Sequence, residues 1–581
     1  MKQEYEFEAV TETLLSDLLK SSNYFFSFPC NGQGSCGKCR IKVNGLLEPP
    51  TMAESKHLTS SEIIAGYRLA CQTKVKGKIM IELPDHSAGE PIQSGGPPHW
   101  FQRNPLFQQI VIPGPTLPTW ESIAAELPAG LKPSPDLLRQ IPGLPKGAVQ
   151  FWVEIFANHV IGIHPAATSP KFAVAVDLGT TTLAAYLIDF SNGAILKTAS
   201  IYNPQGSYGT DLVSRIQFAG QPDGLKVLHD LILGTIQELV LQLTNAAGID
   251  NQDIWQMNLA GNTCMTQLLL GVDPRSLGVI PFTPTFTDLI ELAPEKLGLP
   301  MNRDGLIYIL PGIGGFIGSD ISAGILACNL SGDRAEMLID IGTNGEMVLT
   351  GKGRMLACST AAGPAFEGAR ISCGMMAVSG AITDLQFDNG REPALVTINN
   401  SEPQGICGTG FIRIVVELIK REVIIDSGRF NLNLADPNFD AIQKRYYLLK
   451  RPQKSIFVSE RDIREFQLAK GAIRAGIELL IRELGIVPTE LSTLYLAGAF
   501  GTYLKPEDAI FLGLLPQIPL DRIRPVGNTA GMGTIISILS PVALADLTQL
   551  VRKVEHIELA NIPDFTAVFA QSMLFPAREH E

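Results

Sequence analysis

The chain has 581 residues, 45% of them hydrophobic and 18% charged, and a net charge of −12. That length spans several domains, since a single core rarely grows past ~250–300 residues. The acidic balance argues against a nucleic-acid partner. No uncharged apolar run is long enough to span a membrane, and the start, MKQEYEFEAV, lacks the basic and apolar regions of a signal peptide.

Residues 1–87 read as a small ferredoxin domain. TETLLSDLLK carries Leu14, Leu15, Leu18 and Leu19 at helical spacing, and CRIKVNG and KIMIELP read as strands. Within this segment Cys30, Cys36 and Cys39 are spaced C-x5-C-x2-C, and Cys71 follows 32 positions later. The first gap is one residue longer than in the plant-type [2Fe–2S] pattern. Thiolate sulfur is soft and charged and suits iron, and Gly32, Gly34 and Gly37 let the backbone approach it. Zinc and disulfides are the alternatives. Zinc favours two C-x2-C knuckles or added histidines, and only one knuckle is present here. The other five cysteines are scattered and read as reduced core thiols, which fits a cytoplasmic protein.

Residues 88–115, rich in Pro and Gly, read as a linker, and 116–168 as a small middle domain. In that domain DLLRQI suggests a helix and VQFWVEIFANHVIGIHP a strand pair. From 169 onward apolar strand runs alternate with helical stretches, as in an α/β domain. This region echoes itself. FAVAVDLGTTTLAAYLID and EMLIDIGTNGEMVL both read strand, Asp-x-Gly-Thr, turn, strand, with Asp177 and Asp340 163 positions apart. Such a repeat implies two related lobes, about 169–335 and 336–581. TLYLAGAFGTYL adds a buried strand running into a glycine turn.

A strand ending in Asp-x-Gly-Thr suits a nucleoside triphosphate. Gly179 and Gly342 permit tight turns whose N–H groups face phosphate oxygens. Thr180, Thr181, Thr182, Thr343, Asn344 and Gly345 line the two turns, and Asp177 and Asp340 offer hard oxygens to Mg²⁺. Gly498, Ala499 and Gly501 would flank the adenosine. P-loop and dinucleotide fingerprints are absent from the chain. Asp320 either positions a water at the cleft or caps a helix. Glu346 either orients magnesium or faces solvent, and Glu367 is a loop carboxylate open to both readings. Asn262 and Thr263 either reach the cleft or form an Asx turn. Lys470 or Arg474 could touch the adenosine.

The two turns and LAGAFG resemble the phosphate and adenosine loops of the ATPase superfamily of sugar kinases, heat-shock chaperones and actin. With CGKCR, RLACQT, NPQGSYGTDLVSRI, GNTCMTQLLLGVDP, PGIGGFIGSDISAGI and GPAFEG, the whole chain resembles the reductive activators of corrinoid proteins. This resemblance implies a multidomain α+β and α/β chain: a β-grasp [2Fe–2S] ferredoxin, a linker, a small middle domain and a two-lobed ribonuclease-H-like ATPase. It implies reduction of Co(II) to Co(I) on a partner corrinoid protein or methyltransferase, driven by Mg-ATP, with an upstream low-potential electron donor and a homodimer. No corrinoid-ligating D-x-H-x-x-G is present in the chain, so the corrinoid belongs to the partner. The competing readings are an ATP-gated donor to another low-potential enzyme, a small-molecule kinase with a redox-sensing ferredoxin, and a redox-gated ATP switch that reduces nothing.

Overall fold

The computed structural model describes residues 2–577 apart from 22–27, 29–31, 36, 85–97, 99, 364, 367, 369, 388–392, 435, 452 and 453. The N-terminal unit is a four-stranded sheet. Lys2–Leu14 pairs antiparallel with Lys74–Pro84, which pairs with Arg40–Leu47, and Tyr67–Leu69 closes the far edge. Tyr5, Phe7 and Ala9 face the core while Glu4, Glu6 and Glu8 face water, the period of two expected of a half-buried strand. Past an irregularity between Ala9 and Thr13 the strand runs on to Leu14, which pairs with Lys74, so the helix expected there is shorter: Leu15–Ser21, burying Leu15 and Leu19.

A second four-stranded sheet follows, in the order Phe107–Pro113, Gln150–Phe156, His159–His164, Lys132–Pro133. It corrects the expected linker. Phe107–Pro113 pairs residue for residue with Gln150–Phe156, so the unit read as 116–168 begins at Phe107. Flanking prolines mask FQQIVIP as a strand in the sequence, yet Phe107 and Ile112 are buried beneath it. The sheet rests on the first lobe through aromatic contacts, Phe107 stacked on Phe190 and Phe156 tilted against Trp255, with centroids 5.7 and 5.2 Å apart.

The two lobes repeat one design. In the first, Phe172–Leu178 lies between the antiparallel Thr182–Asp189 and the parallel Ile254–Gly261. Ile195–Tyr202 and Leu306–Ile309 extend the two sides. In the second, Glu336–Ile341 lies between the antiparallel Gly345–Gly351 and the parallel Thr493–Ala497. Arg354–Thr360 and Ile523–Gly527 lie beyond them. Order and direction match strand for strand. The central strands are apolar on both faces because helices cover both sides of each sheet.

The expected division at 335/336 is not clean in space. Helix Ser319–Ala327, from the first half, packs Ile321 and Ile325 among Leu338 and Val348 of the second sheet. Helix Thr529–Leu539, from the second half, packs Ile535 and Ile538 among Ala173, Ala175 and Tyr186 of the first. Both helices lie between the sheets and are apolar almost all round, so nothing in their sequence assigns them to either lobe. They cross closely: a Cβ on Gly533 would sit 1.9 Å from the Ala323 carbonyl oxygen. Among the described residues, no helix is long and apolar enough to cross a membrane.

Candidate functional site

Cys30 and Cys36 lie outside the described residues. The other two candidate ligands meet: Cys39 and Cys71 are buried, with their Sγ atoms 3.3 Å apart. Sheet register brings them together, because Cys39 precedes Arg40, Cys71 follows Ala70, and Arg40 pairs with Leu69. Gly32, Gly34 and Gly37 all take positive φ, at 80°, 69° and 65°. Gln72 Nε2 donates to the Gly32 carbonyl at 2.8 Å and lies 3.5 Å from Cys71 Sγ. The hydrogen bond with Cys39 holds Cys71 down to about 6; burial opposes it, and Gln72 and the Gly34 N–H assist. A pocket that favours thiolate within a glycine loop fits a cluster held by cysteine sulfur.

Between the lobes four carboxyl groups gather. Asp177 is the penultimate residue of its strand, and Asp340 holds the equivalent place in the second lobe. Glu346 is the cross-strand partner of Asp340, and Asp320 sits in the first turn of Ser319–Ala327. Burial, the largest cause for each, pushes Asp177 and Asp340 up to about 7, Asp320 to about 6 and Glu346 well above its ordinary value. The Asp320 carboxylate raises the other three further, so all four share one field. Asn528 Nδ2 donates to Asp177 Oδ2 at 2.7 Å and partly offsets the rise there. The cap of Ser319–Ala327 is Gly318, with no side-chain bond, and the Asp320 carboxylate accepts from Ile321 N–H at 2.9 Å within the first turn, so Asp320 is not the cap residue of this helix. Among the described residues, no three His, Cys, Asp or Glu side chains converge as direct ligands of a metal ion.

The first turn is tied back from behind. The carbonyl oxygen of Gly179 accepts from Asn203 Nδ2 (3.0 Å), that of Thr180 from Arg215 Nη2 (2.6 Å) and that of Thr181 from Asn203 N–H (2.8 Å). Carbonyls held this way turn from the cleft, the arrangement by which successive N–H groups meet an anion. A Cβ on Gly179 would sit 2.2 Å from the Thr182 carbonyl oxygen, so the turn requires glycine. Thr182 opens the following strand.

In the second turn Gly342 N–H donates to the Asn344 carbonyl at 2.9 Å, and Asn344 hydrogen-bonds Glu346. Gly345 begins the next strand tightly against Ile473 and Thr360, which makes it a packing position. Gly498 abuts this turn: its φ is 83°, and a Cβ there would lie 2.5 Å from Asp340 Oδ1. Ala499 and Gly501 continue the helix Gly498–Tyr503, with Gly501 against Leu496.

Several expectations resolve otherwise. Lys470 is buried and donates to the Leu574 carbonyl at 2.7 Å, tying down the C-terminal segment instead of reaching an adenosine. Asn262 accepts from Cys264 N–H, the Asx turn, and Thr263 Oγ1 donates to the Gly314 carbonyl. Glu367 lies outside the described residues. Asn203 and Arg215 lie within NPQGSYGTDLVSRI and Asn528 reads as a helix cap, but sequence reading assigned none of the three to the cleft.

The N-terminal unit touches both lobes. Lys38 Nζ donates to the carbonyls of Gly368 (3.0 Å) and Ile371 (2.8 Å) in the second lobe. Lys20 Nζ lies 5.8 Å from the Tyr208 ring centroid in the first.

Comparison with known family models matches three stretches of the chain. Residues 1–76 match the family described as "2Fe-2S iron-sulfur cluster binding domain", 172–333 the "RACo middle region", and 334–581 the "C-terminal domain of RACo the ASKHA domain". The chain is 31% identical over 593 residues to the "Corrinoid activation enzyme RamQ" of Eubacterium limosum, covering 98% of each. It is 28% identical over 427 residues to the Co(II) methylated amine-specific corrinoid protein reductase of Methanosarcina barkeri, covering 68% of this chain and 75% of that protein. Among solved structures it is similar to the "Reductive activator for corrinoid,iron-sulfur protein", with TM-score 0.73, 30% identity and coverage of 98% and 96%. The same parts in the same order, aligned across nearly the whole length, establish that this chain belongs to the family of reductive activators of corrinoid proteins.

Proposed function

We propose that the protein is an ATP-dependent iron–sulfur oxidoreductase that returns a partner protein's corrinoid from Co(II) to Co(I) by one electron. The observation that carries this reading is the pairing, on one chain of this family, of a buried cysteine pair beside a glycine loop with a carboxylate-lined cleft between two repeated turns. Cys30, Cys36, Cys39 and Cys71 hold a [2Fe–2S] cluster, which when bound supplies one electron at a time. The turns at 179–182 and 342–345 clamp the triphosphate, and Gly498, Ala499 and Gly501 flank the adenosine. Asp177 and Asp340 would hold Mg²⁺ by their hard carboxylate oxygens, and the cation would supply charge neutralisation to the triphosphate. Asp320 orients the attacking water and Glu346 a magnesium water. ATP contributes by favouring one arrangement of the lobes over another, which requires different affinities for the two. An upstream low-potential donor refills the cluster, and the active form is a cytoplasmic homodimer.

An absorbance assay tests this. The reduced protein is mixed with a Co(II) corrinoid protein, with and without Mg-ATP, and Co(I) is followed. Co(I) formed only with ATP, and lost in Cys39→Ala and Asp177→Ala, is the expected result. ATP turnover with an intact cluster but no Co(I) from several corrinoid partners would overturn the acceptor assignment.

A further inference from the structure

The most unusual charge in the molecule is Arg215, which is 1% exposed. Its Nε donates to the Gly209 carbonyl (2.9 Å), Nη1 to Gln205 Oε1 (3.2 Å), and Nη2 to the Thr180 carbonyl (2.6 Å). Nη1 also lies 3.2 Å from Met265 Sδ. None of these partners is charged. Burial lowers Arg215 only to about 10, so it carries its charge at neutral pH. Asp211, the nearby acid, spends its carboxylate on capping, accepting from Ser214 N–H at 2.8 Å and from Ser214 Oγ at 3.0 Å. Buried cations are ordinarily paired, because removing a charge from water is costly. Among the described residues no carboxylate hydrogen-bonds Arg215, while its guanidinium is bonded to the back of the turn at 179–182.

We propose that Arg215 is a positioning residue for nucleotide phosphate: it fixes the turn at Thr180 and holds behind it a positive charge that an arriving triphosphate balances. The proposal rests on the reading of the cleft as an ATP site. It explains why the position carries arginine. A neutral side chain could brace one carbonyl, but only a guanidinium braces Thr180 and Gly209 together and still leaves a net charge. It also predicts selectivity by phosphate content. The benefit falls on ATP and not on adenosine, because the charge lies behind the phosphate turn rather than at the Gly498 turn.

The test is calorimetric titration of the cluster-loaded full chain with Mg-ATP and, separately, with adenosine. Arg215→Gln keeps a donor and removes the charge; Arg215→Lys keeps the charge. Gln205→Glu places a carboxylate against Arg215 and neutralises it with the arginine in place, which keeps the test usable should Arg215→Gln fail to fold. Arg215→Gln and Gln205→Glu are each expected to weaken Mg-ATP by ~10-fold or more, with Arg215→Lys, which keeps the charge but loses the fork on Thr180 and Gly209, falling between the wild type and Arg215→Gln, and adenosine changed by less than ~2-fold throughout. Equal losses for ATP and adenosine, or unchanged ATP affinity in the folded neutralised variants, would overturn the proposal. Failure of the wild-type protein to bind Mg-ATP at all would overturn the cleft reading itself and this proposal with it.

Discussion

At the scale of single residues, the cleft trades stability for ligand binding. Asp177 and Asp340 sit near 7 in the folded, nucleotide-free protein against an ordinary value of 3.8. Raised carboxyls contribute stability that is full below the ordinary carboxylate range and is lost as pH rises toward 7. Asp340→Asn is therefore expected to raise the Tm of the nucleotide-free protein at pH 8 by ~2 °C or more while cutting Mg-ATP turnover by ~100-fold. Calorimetry beside a phosphate-release assay checks both, and a variant with no gain in Tm at pH 8 would contradict the shared-field account. Asn528→Ala removes the donor to Asp177 and the cap on Gly531 N–H. Its pH midpoint for Mg-ATP binding is expected to move upward, and stability to fall by ~1 kcal/mol, the usual worth of an N-cap. Titrations across pH 5–8 and denaturant melts would read these out. Asp177, Asp340 and Gly498 were legible because turn chemistry demands those residue types at local spacing. Asn528 was not, because its partner Asp177 lies 351 positions away and an Asn before a helix reads equally well as a cap.

At the scale of elements, the repeat announced itself. Two Asp-x-Gly-Thr hairpins in register are matched by two sheets that share the order of five strands and differ only in where the sixth is added. The exchange of helices between halves was hidden, because Thr529–Leu539 is buried at every position and shows no single apolar face to follow. Phe107–Pro113 was hidden for a different reason: its partner strand is more than 35 residues further on, and prolines break its outline. The exchanged helices make a specific claim about Gly533, whose α-hydrogen is pressed against the backbone at Ala323. Gly533→Ala is expected to cost ~1–3 kcal/mol by overpacking. Gly234→Ala, in the interior of helix Gly224–Ala247 with nothing within 4 Å of the added methyl, is expected to be neutral or stabilising by up to ~1 kcal/mol. Denaturant titration of both variants separates a packing constraint from the general cost of glycine in a helix. Similar effects at the two sites would mean that the helix crossing is not under steric load.

At the scale of the whole molecule, the N-terminal unit bridges the lobes, and two of its contacts lead back to the cleft. Tyr208, beneath Lys20, belongs to the segment 203–215 that braces the turn at 179–182. Gly368 and Ile371, which accept from Lys38, lie beside Phe366, whose ring is 4.7 Å from that of Phe500 in the Gly498 turn. A unit fastened to both lobes resists any change in the distance between them, and nucleotide that draws the lobes together must strain or break one fastening. Coupling of this kind is reciprocal: a contact weakened by ATP weakens ATP binding in return. Lys38→Ala deletes the fastening to the second lobe, two hydrogen bonds each worth ~0.5–1.5 kcal/mol, so ATP affinity is expected to rise by about fivefold. Hydrogen exchange supplies the other half of the cycle. Mg-ATP should speed exchange across residues 37–45 in the wild-type protein and change it little in Lys38→Ala, at equal cluster content judged by absorbance. Unchanged ATP affinity together with unchanged exchange would show that the seat of the N-terminal unit ignores the nucleotide, and that coupling between the two sites must run through the partner protein instead.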